Sequence, residues 1–275
     1  MQSKKPSSKS TQTIIDVLPG RMLLTIIAAV GLLFLILPIV ALIVRAIQTQ
    51  AWQEMADGTL VPAILLSLLT TLTTLILTIL FGTPLAYFLA RRQFKGKRFL
   101  SVLVELPVVL PPAVAGLGLL VAFGRRGLFG PALETIGVSL PFSTAAVILA
   151  QTFVAAPFFI RAAQAAFQTV EPEIEAAGRV DGADGLVLFW EITLPLSSRA
   201  LGAGLALSWA RSLGEFGATI LFAGSLQGIT QTMPLLIYKE FERNINAAIW
   251  AGLLLITLAL GALLLARYLN KSDTL

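Results

Sequence analysis

Long apolar segments separated by short polar ones make up most of this chain. Six of the segments are about 20 residues or longer, which is the length a helix needs to cross the hydrocarbon core of a bilayer. They lie near residues 21–47, 60–90, 99–123, 143–168, 196–223 and 246–268. The apolar runs are continuous and do not alternate as the strands of a membrane barrel do. The pattern therefore predicts an all-α, polytopic membrane protein with six transmembrane helices.

The composition agrees with residence in a lipid bilayer. The chain is 56% hydrophobic and only 13% charged, about half the charged fraction of a soluble domain. It contains no cysteine and no histidine, which excludes disulfides, Ser-His or Cys-His catalysis, and metal sites built on these residues. The basic residues lie at the ends of the predicted spans, so the net charge of +5 indicates membrane topology and no nucleic-acid partner.

The positions of these basic residues also predict the orientation. They concentrate in the N-terminal tail, in the loop at 91–98 and at the C-terminal end. Because positive residues favour the cytoplasmic side, both termini are expected in the cytoplasm, with a multi-pass chain in the cell inner membrane. The polar residues 1–20 are predicted to be a disordered cytoplasmic tail. Residues 21–275 are predicted to form the transmembrane domain, with its core at 60–268.

An acidic polar loop, residues 171–195, separates the fourth and fifth predicted spans. Pro172 suits the first turn of a helix, Gly182 permits a sharp turn, and Asp184 can cap a second short helix that ends before Pro195. Acidic residues in the first helix favour its N-terminal end through the helix dipole. The second helix carries a large apolar knob: Val187, Leu188, Phe189 and Trp190. A loop resting on the membrane surface should be basic, so a protein partner is the better interpretation.

Polar residues recur at helical spacing along one face of the fifth predicted span. They are Ser208, Arg211, Ser212, Glu215 and Thr219. An ionisable residue inside a membrane indicates a functional role, here a translocation path. Arg211 and Glu215, at i and i+4, can also form an internal ion pair that fixes helix packing, and the two interpretations are compatible. If the stripe lines a path, cysteines at its hydroxyl positions react with aqueous reagents and those at Leu207 and Ile220 are protected.

Two further spans carry unusual residues. The second has a stripe of hydroxyls, for which hydrogen bonding within and between helices is the favoured interpretation. These residues are Ser67, Thr70, Thr71, Thr74 and Thr78. The third contains Pro107, Pro111 and Pro112, followed by Gly116 and Gly118. Such residues interrupt helices, and interrupted helices often border substrate paths, although flexible packing is an equal alternative.

The chain has no nucleotide site of its own. A phosphate loop needs a glycine-rich turn followed by Gly-Lys-Ser/Thr. The pair Gly96-Lys97 lacks both the preceding glycine and the hydroxyl residue. If transport is driven by ATP, the ATPase is a separate subunit that binds ATP and magnesium, and this chain holds no cofactor and no metal.

The 171–195 loop resembles the cytoplasmic "EAA" loop with which ABC importer permeases dock on their ATPase. Glu175-Ala176-Ala177 is followed by Gly182 and then, at the family spacing, by Leu194-Pro195. One extra residue precedes the glycine, so an alignment on Gly182 puts Ala176 where the family has glutamate. The resemblance implies the following ATPase-coupling residues: Glu175, Ala176, Ala177, Gly182, Ala183, Asp184, Leu194 and Pro195.

Other segments resemble the permease subunit of molybdate ABC importers, and the similarity covers roughly residues 60–265. They are Leu106–Pro112, Phe123–Gly127, Arg161–Phe167, Gly214–Thr219, Phe222–Gly224 and Thr230–Leu235. The resemblance implies a non-enzymatic, homodimeric permease with the type I ABC importer fold, two cytoplasmic ATPase subunits and an external oxyanion-binding protein. Molybdate or tungstate is the expected substrate; a sulfate or thiosulfate permease and an ATP-independent secondary transporter are the alternatives. The path or gate residues are expected to be Ser208, Arg211, Ser212, Glu215, Thr219, Pro111 and Pro112.

Overall fold

A computed structural model describes residues 17–54 and 58–271 of the chain. Within these residues the backbone forms twelve α-helices, a 3₁₀ turn at Ala51–Gln53 and a π-helical turn at Phe189–Thr193, with no strand. The helices are α1 Val17–Thr49, α2 Leu60–Arg91, α3 Lys97–Val109, α4 Pro112–Phe123, α5 Gly130–Thr135, α6 Thr144–Thr169, α7 Pro172–Val180, α8 Gly185–Leu188, α9 Leu194–Leu213, α10 Gly217–Phe222, α11 Met233–Arg243 and α12 Ile245–Lys271. The predicted all-α class is confirmed.

The chain divides into two compact units, Met1–Ala51 and Trp52–Leu275. The first unit contains α1, and the second contains α2 to α12. Helix α1 begins at Val17, so the predicted tail of residues 1–20 ends too late. The rest of that tail, residues 1–16, lies outside the described residues.

Among the described residues, four helices are long and apolar enough to cross a membrane: α1, α2, α6 and α12. A fifth span is obtained if α3 and α4 are counted together, but these helices meet at an angle of 112°. The span predicted over 99–123 is therefore two helices, and the interruption expected from its prolines is present. The break falls at Leu110 and Pro111, where the adjacent prolines remove backbone N–H donors and disfavour helical geometry.

The predicted span over 196–223 is also not one helix. Helix α9 ends at Leu213, and the short α10 begins after residues 214–216. Helix α9 carries Arg199 and Arg211 together with several serines, so it falls outside the helices that qualify as spans by hydropathy alone. The predicted number of six spans is thus not reached by this criterion in the described part of the chain.

Helices α2, α6 and α9 form the centre of the second unit. Helix α6 packs along both α2 and α9, and α11 packs along α12. Small side chains make these approaches close: Ala150, Ala155 and Ala163 of α6 are completely buried. Membrane helices favour small residues at their contacts because the backbones can then approach closely.

The hydroxyl stripe of α2 is buried in this helical centre and connects helices. Thr71 accepts a hydrogen bond from the indole N–H of Trp209 at 3.1 Å, and Thr74 donates to Gln151 at 3.2 Å. Ser67 accepts the backbone N–H of Met233 at 2.8 Å and so caps the start of α11. The stripe therefore holds neighbouring helices together, as the favoured interpretation of the sequence predicts.

Candidate functional site

The 171–195 loop begins as predicted, with a helix that starts at a proline and ends in a tight turn. Helix α7 is followed by Gly182, whose φ of +91° is in the left-handed region that favours glycine. The expected second helix, separate from the fifth span, is wrong. Helix α8 continues through the π-helical turn into α9, and Pro195 lies in the first turn of α9 as part of this continuous helical segment.

Asp184 occupies the predicted N-cap position of α8, but the predicted side-chain cap is not formed. Its carbonyl oxygen accepts the N–H groups of Val187 at 2.9 Å and Leu188 at 3.3 Å. Its side chain makes no capping hydrogen bond. The carboxylate of Asp184 therefore stays exposed on the surface of the loop.

Glu175 is the best-connected residue of the loop. One carboxylate oxygen lies 2.6 Å from Nη2 of Arg91 and accepts the hydroxyl hydrogen bond of Thr193 at 2.9 Å. The other oxygen lies 3.8 Å from Nη2 of Arg179. Glu175 is only 4% exposed. Its place in the first turn of α7 agrees with the helix-dipole expectation, and its carboxylate is used inside the chain.

Arg91, at the end of α2, connects the loop to a second helix. Both terminal guanidinium nitrogens donate to the carbonyl oxygen of Val170 at 3.2 Å. Val170 is the C-cap of α6, where a helix leaves carbonyl groups without intrahelical partners. Arg91, Val170, Glu175 and Thr193 thus link the ends of α2 and α6, helix α7 and the entry to α9. We call these four residues the loop joint.

Aromatic packing connects the same elements as the loop joint. Tyr87 of α2 makes edge-to-face contacts with Phe167 of α6 at 5.6 Å and with Phe189 of the π-helical turn at 5.2 Å. Phe167 and Phe189 lie 5.9 Å apart. Sequence reasoning did not identify Tyr87, Phe167, Arg91 or Thr193, because nothing in their local pattern shows which distant segment they contact.

The surface of the loop is apolar at its tip. Val180 is 87% exposed, Leu186 is 76% exposed, and Val187 and Trp190 are also exposed. The predicted knob is therefore only half correct, since Leu188 is buried and Phe189 packs in the aromatic cluster. The remaining predicted coupling residues lie at or near the surface: Ala176, Ala177, Gly182, Asp184 and Pro195 are exposed, and Ala183 and Leu194 are half-buried.

The second candidate site surrounds the interruption between α9 and α10. Glu215 is 1% exposed, and one of its carboxylate oxygens lies 2.8 Å from Nη1 of Arg211. The other oxygen accepts the backbone N–H of Ala218 at 2.8 Å, in the first turn of α10. The predicted ion pair at i and i+4 is present in the structure, and it stabilises the break.

The two broken helices meet at their breaks. A Cβ atom added to Gly217 would lie 2.6 Å from Cβ of Pro112, and one added to Gly116 would lie 2.7 Å from the carbonyl oxygen of Ala218. Only glycine permits such an approach, so α4 and α10 are in direct backbone contact. We call Pro112, Gly116, Glu215, Gly217 and Ala218 the helix-break joint. Pro111, the N-cap of α4, immediately precedes it.

The hydroxyls of the predicted path stripe face the interior of the chain. Ser208 donates to the carbonyl oxygen of Ala155 at 2.9 Å, and Ser208, Ser212 and Thr219 are completely buried. Leu207, in contrast, is 52% exposed. The hydroxyls therefore face protein within this chain, while Leu207 lies on its outer surface. Helical spacing correctly placed the hydroxyls on one face, but this face packs against α6.

One charged pair was missed by sequence reasoning. Arg161 of α6 lies 3.4 Å from Glu105 of α3, and the two side chains are 57% and 44% exposed. Arg161 is eight residues from the end of α6, a helix that qualifies as a membrane span. Partly exposed charges at this depth are unfavourable in lipid, which indicates that this surface meets water or protein.

Comparison with known proteins identifies the family. Residues 82–272 match the family described as "Binding-protein-dependent transport system inner membrane component". The chain belongs to this family. The matched range includes the 171–195 loop and both broken helices. Family membership confirms the predicted class, a multi-pass membrane component of a transport system that is not itself an enzyme.

Individual relatives and a solved structure agree with this assignment. The Mycobacterium tuberculosis "Molybdenum transport system permease protein ModB" is 42% identical over 232 residues, which cover 84% of this chain and 88% of that protein. The Synechococcus elongatus "Sulfate transport system permease protein CysW" is 35% identical over 274 residues, covering 94% and 96%.

The fold is shared with a chain in the "Crystal structure of bacterial alginate ABC transporter in complex with alginate pentasaccharide-bound periplasmic protein". The TM-score is 0.73 at 21% identity, and the match covers 98% of this chain and 99% of the other. This similarity confirms the predicted fold of an ABC permease.

Proposed function

We propose that this chain is the permease subunit of an ATP-driven importer for a tetrahedral oxyanion, with molybdate as the substrate and tungstate as its close analogue. The observation that carries this proposal is the 42% identity, over 84% of the chain, to a protein named as a molybdenum permease. The lower identity of 35% to a sulfate permease supports sulfate as the second candidate.

The chain works in the inner membrane as one half of a homodimer, with both termini in the cytoplasm. Helix α9 crosses the membrane as the sixth span although its hydropathy is low, because it packs along α6, which is itself a span. Basic residues at 91–98 and in the tail support this orientation through the positive-inside rule. An external oxyanion-binding protein delivers the substrate to the opposite side.

In the homodimer, the two copies of the 171–195 loop are the contacts for two cytoplasmic ATPase subunits, which bind ATP and magnesium. Its exposed apolar tip supports this role, because an exposed apolar patch marks a protein interaction site. Val180, Leu186, Val187 and Trp190 form the docking surface, with Ala176, Ala177, Gly182, Ala183, Asp184, Leu194 and Pro195 around it. Glu175 supports the loop from within.

The translocation path runs beside the helix-break joint. Arg211, whose side chain is 28% exposed, supplies a cation beside this path. Its ion pair with Glu215 weakens the attraction of Arg211 for an anion. The Pro111–Pro112 break provides backbone that is free of helical hydrogen bonding. Ser208, Ser212 and Thr219 hold the helices that border the path and do not line it. A paired arginine and free backbone groups bind a dianion weakly, so the dianion is released quickly.

Uptake by a reconstituted complex tests this function. The permease is placed in proteoliposomes with its ATPase and binding protein, and molybdate uptake is measured with ATP and with a non-hydrolysable analogue. We expect uptake only with ATP and with binding protein, competed by tungstate more strongly than by sulfate. Stronger competition by sulfate would favour the sulfate permease, and uptake without ATP would contradict an ABC importer.

A further inference from the structure

We propose that the loop joint is an internal mechanical link, through which Glu175 passes movement of the 171–195 loop to the ends of α2 and α6. In this role Glu175 is a positioning residue that makes no contact with the ATPase. The inference rests on the proposed function of the loop and adds how the loop is connected to the spans.

The geometry distinguishes a link from a surface contact. The carboxylate of Glu175 is held by Arg91 at 2.6 Å and by Thr193 at 2.9 Å, and its side chain is 5% exposed. An ATPase side chain has no room to reach this carboxylate unless α7 moves away. The surface that a partner meets is instead formed by Val180 and the exposed residues after it.

Arg91 makes the link rigid. Its planar guanidinium binds the carboxylate of Glu175 and the carbonyl of Val170 together, so helix α7 cannot move without moving the ends of α2 and α6. The side chain of Arg91 is only 17% exposed, so solvent screens this ion pair weakly. The aromatic contacts among Tyr87, Phe167 and Phe189 join α2 and α6 to the π-helical turn that precedes α9.

The chain provides matched controls. Arg179 lies 3.8 Å from the carboxylate of Glu175, and its side chain is 59% exposed. Exposed ion pairs contribute little, so the proposed link does not depend on Arg179. Glu173 lies on the same helix and is exposed. Glu173→Gln removes one negative charge from α7 as Glu175→Gln does, without affecting the loop joint.

The first experiment uses the permease alone and does not depend on transport. A nitroxide attached to Val180→Cys, in this cysteine-free chain, reports the mobility of α7 in nanodiscs. We expect Arg91→Gln and Glu175→Gln to raise this mobility and Glu173→Gln to leave it unchanged. The charge-reversed pair R91E/E175R should restore only part of the order, because a glutamate at position 91 cannot donate to the carbonyl of Val170. Unchanged mobility in both single variants would overturn the link.

The second experiment uses the complete complex and measures oxyanion imported per ATP hydrolysed. We expect Arg91→Gln and Glu175→Gln each to lower this ratio by about tenfold. A factor of this size is smaller than the full free energy lost when one partner of a buried ion pair is removed. The ATPase should still co-purify at the wild-type ratio. Arg179→Gln should stay within about twofold of wild type, as is typical of exposed pairs, and R91E/E175R should recover part of the loss.

Arg91→Lys tests the link where the stronger variants fail to fold. Lysine keeps the charge but cannot bind the carboxylate and the carbonyl with one planar group, so an intermediate ratio is expected. A wild-type ratio in Arg91→Gln, together with loss of ATPase from Glu175→Gln, would show that Glu175 is an ATPase contact. If the wild-type complex imports no oxyanion, the proposed function is contradicted but the link is not. The nitroxide measurement tests the link without transport.

Discussion

The loop joint and the helix-break joint both depend on a buried glutamate paired with an arginine, but they are assembled differently. Glu175 pairs with Arg91, 84 residues away, and thereby connects four separate elements. Glu215 pairs with Arg211, one helical turn away, and its other oxygen stabilises the start of α10. The first joint transmits movement between elements, whereas the second fixes the shape of a single broken segment.

The packing around the two ion pairs also differs. At the loop joint, edge-to-face aromatic side chains fill the space between α2, α6 and the loop. At the helix-break joint, Gly116 lies against the backbone of Ala218, and Gly217 lies against the ring of Pro112. Close backbone contact tolerates little change in volume. We therefore expect substitutions at the helix-break joint to act on stability alone, while those at the loop joint should lower stability and also uncouple transport.

The largest expected effect is on stability, from Glu215→Ala. Removing one partner of a largely buried ion pair leaves Arg211 uncompensated, and the free energy of unfolding should fall by about 3–5 kcal/mol. Unfolding by SDS in mixed micelles, followed by tryptophan fluorescence, measures this change. Glu173→Ala, at an exposed position, serves as the control. An equal effect in the two variants would mean that Glu215 is not the residue that fixes the break.

A smaller loss of stability is expected from Gly116→Val. The new side chain would overlap the backbone of Ala218, and overpacking of this kind destabilises by about 1–3 kcal/mol. Gly118 lies on the same helix with no atom within 4 Å of an added Cβ, so Gly118→Val changes the helix propensity equally without the overlap. The same SDS titration compares them. If both valines were tolerated alike, α4 and α10 would not be in backbone contact.

Gly182→Val should act on coupling. A β-branched residue at a φ of +91° is strained, by about 1–2 kcal/mol, and the turn after α7 should be displaced. We expect ATP hydrolysis to continue while oxyanion uptake per ATP falls, with membrane insertion unchanged. Gly182→Asn, which tolerates left-handed geometry better, should keep more of the coupling. Normal coupling in the valine variant would argue strongly against an ATPase contact in this loop.

The smallest effect is expected from Glu105→Gln. Its pair with Arg161 is about half exposed, and exposed pairs contribute about 0–1 kcal/mol. Unfolding of the purified permease should therefore shift by less than about 1 kcal/mol. A loss as large as that of Glu215→Ala would show that the Arg161 surface is covered by protein, as in a dimer whose second copy lies on it.

Local spacing predicted the helix-break joint better than the loop joint. The i, i+4 relation identified Arg211–Glu215, and the adjacent prolines indicated an interruption near residue 111. Arg91 was counted only as a cytoplasmic positive charge, because sequence spacing does not reveal a contact across 84 residues. The hydroxyls of α9 were placed on one face correctly, yet whether that face meets water or α6 depends on tertiary packing.

The continuity from α8 into α9 was missed for a similar local reason. Pro195 is compatible with the start of a new helix. It is equally compatible with a continuous helical segment in which the π-helical turn before Pro195 changes the backbone hydrogen-bond pattern. The choice between these depends on Leu188 and Thr193, which are buried by contacts that the loop makes with the rest of the fold.

Thiol footprinting of the 171–195 loop tests most directly whether this loop is the ATPase contact. Single cysteines at Val187 and Trp190, both exposed in the permease, are reacted with an aqueous maleimide before and after the ATPase is added. We expect fast labelling in the permease alone and strong protection in the complex, with a cysteine at the exposed Leu128 labelled equally in the two. Equal labelling of the loop cysteines with and without ATPase would contradict it.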